Sequence, residues 1–62
     1  MAKMIELTRT FESRKVLINV DNIAYVESNS DGTSTIGFNY GGGFSVFQSI
    51  VQVKNIIKDV NK

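Results

Sequence analysis

Apolar and polar positions alternate along most of this chain at a period of two, and only near its end does the period lengthen. Over residues 4–10 (MIELTRT), Ile5 and Leu7 point to one side and Met4, Glu6 and Thr8 to the other, the mark of a half-buried strand. Residues 15–20 (KVLINV) repeat the pattern, with Val16, Ile18 and Val20 on one face and Leu17 opposed to them beside Lys15 and Asn19. Residues 23–28 (IAYVES) predict a third strand, whose two faces the pattern leaves unassigned. Residues 33–40 (TSTIGFNY) predict a fourth, with Ile36, Phe38 and Tyr40 in phase and Gly37 interrupting the other face, where a bulge or a close backbone approach is expected. Residues 44–48 (FSVFQ) predict a short fifth strand in which Phe44 and Val46 share a face and Phe47 opposes them.

From residue 49 onward the period is helical. Ile50, Val53, Ile57 and Val60 fall at i, i+3, i+7 and i+10 with Ile56 beside them, one apolar stripe with Lys54, Asn55, Lys58, Asp59 and Asn61 turned outward. Ser49 followed three residues later by Gln52 predicts a capping box, in which hydroxyl and amide satisfy orphan backbone donors reciprocally. Between the strands, Asp21-Asn22 and Asp31-Gly32 are turn signals, and Gly41, Gly42 and Gly43 make a hairpin tip. The connection at residues 11–14 lacks glycine, so its turn type does not follow from the sequence. Residues 1–3 read as a lead-in.

The expected fold is therefore α+β: an antiparallel meander of four to five short strands followed by one C-terminal amphipathic helix packed on one face. A single small domain spans residues 1–62, with the sheet over about residues 4–48 and the helix over about residues 49–61. A helix of about 12 residues is only about 18 Å long and closes one face of such a sheet. Ile5, Leu7, Val16, Ile18, Val20, Ile36, Phe38, Phe44 and Val46 supply the core beneath it, while Met4, Leu17, Tyr25 and Phe47 face the other way. Those four are either scattered surface apolars (or a bent sheet's second small core) or a contact surface for another copy or another protein.

Size weighs on that choice. A chain of 62 residues buries only roughly 60% of its unfolded surface. Small domains recover stability through disulfides, metals or self-association. With no Cys and no His, a disulfide is impossible and the usual zinc ligands are absent, which leaves self-association as a homodimer or higher homo-oligomer. The formal net charge of +1 gives no strong attraction to nucleic acid or to an acidic membrane. No apolar run approaches the roughly 20 residues of a membrane span, and no leader-like apolar segment opens the chain. A soluble cytoplasmic protein is expected, with no membrane partner, and the 42% apolar content argues against disorder.

Catalysis finds no footing. Glu6, Glu12, Asp21, Glu27, Asp31 and Asp59 stand singly in strands and turns, and no serine has a spaced base beside it. The triple glycine leads into a strand and not a helix, unlike a phosphate loop. No enzyme activity, cofactor or metal site is expected. The alternative to protein contact is single-stranded nucleic-acid binding, with Arg9, Arg14 and Lys15 on phosphate and Tyr25, Tyr40 or Phe47 as stacking platforms. Lys54, Lys58 and Lys62, four apart, read as a solvated helix stripe or as a phosphate-contacting ridge.

The order of motifs is similar to that of the small FlbD-type flagellar and swarming-motility family. MIELTR resembles its opening M-I-x-L-T-R, NVDNIAYVES its N-x-D-x-I-x-x-I-E segment, and TSTIGFNYGGG its strand followed by a Gly turn. VFQSIVQVKNII resembles its closing V-x-E-S-x-x-E-V-x-x-x-I, with Gln48 and Gln52 where that family typically has Glu. The likeness runs over nearly the whole chain and extends to small phage and mobile-element proteins. It implies a small accessory protein and not an enzyme. IAYVES with the Gly turn and strand after it is also similar to part of the LytTR DNA-binding domain, over less than half the chain.

Overall fold

In the computed structural model, which describes residues 3–61, each alternating segment is a strand and the helical-period segment is a helix. The strands are β1 (Met4–Thr8), β2 (Lys15–Asn19), β3 (Ile23–Ser28), β4 (Ser34–Phe38) and β5 (Gly43–Val46), and α1 spans Ile50–Val60. The lead-in reading of residues 1 and 2 and the Lys62 end of the lysine stripe lie outside the described residues. The α+β class, the antiparallel pairing and the single C-terminal helix are as expected. The continuous meander is not: β1-β2 and β3-β4-β5 are separately bonded sheets.

The interruption falls between β2 and β3, and local hydrogen bonds explain it. The chain leaves β2 through a turn of 3-10 helix at Val20–Asn22, where the Asn19 side chain accepts from the Asp21 amide. Asn39 at the end of β4 then holds that turn, its amide donating to the Asn22 carbonyl (2.8 Å) and its side chain to the Asp21 carbonyl (2.9 Å). β3 is thus carried away from β2. The two sheets meet across β1 and β5 instead. Thr10 donates its amide to the Ser45 carbonyl (3.0 Å) and Phe47 to the Thr8 carbonyl (2.8 Å), with Arg9 opposite Val46. The order in space is β2-β1-β5-β4-β3, and β2 and β3, consecutive in sequence, are the two outer edges.

The registers put the predicted core on one side. Ile5 faces Ile18 and Leu7 faces Val16, while Ile36 lies between Val26 and Phe44. Ile5, Leu7, Ile18, Ile36, Phe38 and Val46 are buried together with Val53 of α1, and Val16, Val20 and Phe44 pack half-buried against them. The faces of β3 are settled by a bulge: Ile23 pairs with Phe38 but Tyr25 with Gly37, which leaves Ala24 as the extra residue. Ile23 and Val26 consequently both turn to the core, and Tyr25 turns out.

Helix α1 begins at the predicted box. The Ser49 hydroxyl accepts from the Gln52 amide (3.2 Å) and the Gln52 side-chain oxygen from the Ser49 amide (2.8 Å). Gln48 ties this end to β1 by accepting from the Thr8 amide (3.0 Å), and Lys3 ties the other end by donating to Asn61 (3.1 Å). α1 therefore runs antiparallel to β1, along the strand direction. The glycine-free hairpin connection is a turn of 3-10 helix at Phe11–Ser13 with Glu12 and Ser13 in the left-handed region (φ 58° and 51°). Among the described residues no helix is long and apolar enough to cross a membrane.

Candidate interaction surface

Alternation places Met4, Glu6 and Thr8 of β1 and Lys15, Leu17 and Asn19 of β2 on the face turned away from the core. Met4 pairs with Asn19 and Glu6 with Leu17, so Met4 and Leu17 are diagonal neighbours there. The Val20 amide donates to the Lys3 carbonyl (2.9 Å) and the Arg9 amide to the Arg14 carbonyl (2.7 Å). Those bonds fix which β2 residues exchange hydrogen bonds with β1, and leave the alternate ones, Lys15, Leu17 and Asn19, with backbone groups directed to the free edge.

That edge borders an open cleft of about 370 Å³, to which Met4, Val16, Leu17, Phe38, Tyr40 and Phe44 contribute. It exists because α1 packs on β1 and β3 and leaves the inward side chains of β2 and of the β4–β5 hairpin partly uncovered. Aromatic rings build its wall. Tyr40 stacks on Phe38 at 5.3 Å between centroids with planes 6° apart, and Phe44 leans on Phe38 at a tilt. The Arg9 guanidinium lies 4.5 Å from the centre of the Phe44 ring, and its Nε is buried with no hydrogen-bond partner among the described residues. A cation so placed is held by the ring quadrupole instead of by an acceptor.

The four residues predicted for an interface are all exposed: Met4 by 44%, Leu17 by 67%, Tyr25 by 51% and Phe47 by 50%. The structure gathers Met4 and Leu17 at one cleft. Tyr25 lies apart, its ring over Gly37 of β4, and Phe47 lies just after β5 beside Thr8. The three cations predicted for phosphate do not share a face. Arg9 turns inward onto Phe44, Arg14 pairs with Glu12 (3.3 Å), and Lys15 is exposed on β2.

Two exposed aromatics escaped the pattern, Tyr40 at 76% and Phe11 at 66%. Tyr40 is in phase with Ile36 and Phe38, but β4 ends at Phe38, so the ring lies beyond the strand and rests on the cleft wall. The glycines that follow it were the available signal that pairing stops early. Phe11 sits in the left-handed connection, for which no sequence marker exists.

Charged chemistry at these positions is sparse. Among the described residues no group of three or more His, Cys, Asp or Glu is arranged to hold a metal. The Asp31 carboxyl is held below its ordinary value by hydrogen bonds from the Thr33 hydroxyl (2.6 Å) and the Thr33 amide (3.0 Å), which lock the β3–β4 turn. No family model matches the chain, and no curated protein or solved structure matches it. Function is read from the surface.

Proposed function

We propose that this chain is a small, non-enzymatic cytoplasmic accessory protein that acts by protein–protein contact and assembles with copies of itself through the surface α1 leaves open. One observation carries the reading: Met4 and Leu17 stand exposed beside an apolar cleft at a strand edge with unpaired backbone groups. Fully burying a side chain of this size contributes about 1.5–3 kcal/mol, a large fraction of what a chain this short holds by itself. A two-fold axis near Leu17 would set β2 antiparallel against its copy, satisfy both edges and close the two clefts. Phe47 extends the contact on the outward face, and Tyr25, on the far edge strand β3, receives a further protein.

The motif order shared with the FlbD-type motility family and with related phage and mobile-element proteins supports an accessory setting. Gln48 and Gln52 stand where that family typically has Glu. Each offers a side-chain oxygen to a backbone amide, of Thr8 and of Ser49 respectively, and a carboxylate accepts equally well.

Light scattering after size exclusion tests the proposal. The wild-type chain is expected to elute as a dimer or larger at micromolar concentration. Leu17→Asp combined with Phe47→Asp should return it to a monomer with an unchanged circular dichroism spectrum. A wild-type monomer, or an assembly that survives both substitutions, overturns the assigned surface.

A further inference from the structure

α1 and β3 enclose a second groove, of about 300 Å³, floored by Val26, Ile50, Val53 and Ile57 and flanked by Lys54 and Lys58. It shares no residue with the cleft at β2. Its other boundary is a free sheet edge, because β3 is bonded to β4 alone. The Asn29 amide donates to the Thr33 carbonyl (2.8 Å). The antiparallel register carries that bonded pairing to Glu27↔Thr35 and Tyr25↔Gly37, so Val26 and Ser28 turn their amides and carbonyls away from β4. Edge strands are usually blunted by Lys, Pro or a bulge. β3 has neither Lys nor Pro, and its bulge lies at Ala24, leaving the Val26–Ser28 end open.

Charge specifies what fits. Neither Lys54 nor Lys58 has an ion-pair partner among the described residues. One helical turn separates them, about 5–6 Å on the helix surface. Because α1 runs along the strand direction, a strand added to β3 would run beside them, with same-face side chains about 6.7 Å apart. The two spacings agree.

We propose that the β3–α1 groove binds an extended acidic segment of another protein by strand addition. The segment's backbone pairs with Val26 and Ser28, an apolar side chain enters over Val26 and Val53, and carboxylates two and four residues further along the segment, on the same face, reach Lys54 and Lys58. A helical ligand would leave the β3 edge unpaired. A second copy's β2 brings Lys15 and no carboxylate, which sets it against the same lysines. The groove uses neither Leu17 nor Phe47, so its failure would leave the self-assembly reading as it stands.

Fluorescence anisotropy decides it, with a short labelled peptide in which Ile, Glu and Glu alternate with Thr. The wild-type protein is expected to bind this peptide. Affinity should fall roughly tenfold or more, the scale of lost hydrogen bonds to charged groups, for Lys54→Gln with Lys58→Gln at an unchanged circular dichroism spectrum. It should fall likewise when the peptide amides that face β3 are N-methylated. A peptide with Lys in place of Glu should not bind. Absent binding, binding indifferent to the lysines or to N-methylation, or a groove that takes sodium laurate and not the peptide, each overturns strand addition.

Discussion

Gly37 and Tyr25 act as one unit. A Cβ on Gly37 would overlap the Tyr25 ring, and opposite it a Cβ on Gly43 would overlap the Ile36 carbonyl oxygen. The sequence interruption at Gly37 signalled either a bulge or a close approach, and β4 meets both: the bulge at Ala24 opposes it and the ring lies on it. Tyr25 is thus half structural, covering a glycine with one face and exposing the other. Gly37→Ala should destabilise by about 1–3 kcal/mol in urea denaturation, as overpacking does. In a Tyr25→Ala background most of that loss should vanish, since the two positions share one contact. Full loss in both backgrounds would place the constraint elsewhere.

Asp31 gives the residue scale its pH dependence. Thr33 holds its carboxyl below the ordinary 3.8, so the folded-state value is the lower one. The stabilisation is therefore complete above the unfolded value and is lost as pH falls through the folded one. The stability difference between the wild type and Asp31→Asn should be constant from neutral pH down to about 5 and shrink as pH falls through 3.8 and below. A difference that grows on acidification would reverse the assignment. Exposure at single residues was legible wherever alternation held: Met4, Leu17 and Phe47 were placed outward by parity alone. It failed for Arg9 because residue type outweighed phase. Arg9 is in phase with Ile5 and Leu7, and the structure puts it where phase dictates, over Phe44.

At the scale of elements, the signals legible in the sequence are the ones closed by short-range bonds. The capping box needs only Ser49 and Gln52, and it forms as expected. Ser49→Ala should cost about 1 kcal/mol by thermal or urea denaturation, whereas Gln52→Glu should be nearly neutral because the accepting oxygen is kept. The β1–β2 hairpin shows the opposite case. Its connection reaches the left-handed region at Glu12 and Ser13, where a glycine would ordinarily announce the turn. The boundary of β4 at Phe38 was also hidden, because Tyr40 continues the apolar phase past the last paired residue.

Across the whole molecule the margin is thin. At roughly 0.05–0.15 kcal/mol per residue, 62 residues hold about 3–9 kcal/mol. Assembly through β2 would add to that by mass action, so the unfolding midpoint of the wild type should rise with protein concentration. The Leu17→Asp, Phe47→Asp variant should show a concentration-independent midpoint.

By itself the sequence determined the elements, the faces of all the strands but β3 and most of the core, because periodicity and caps are set by neighbours within a few positions. Only the tertiary structure decided which strands pair. The turn at Val20–Asn22 separates β2 from β3, and β1 joins β5 through Thr8 and Thr10, a contact between residues far apart in the chain that no local pattern encodes. That pairing leaves β2 and β3 as the two edges and opens one cleft beside β2 and another beside β3.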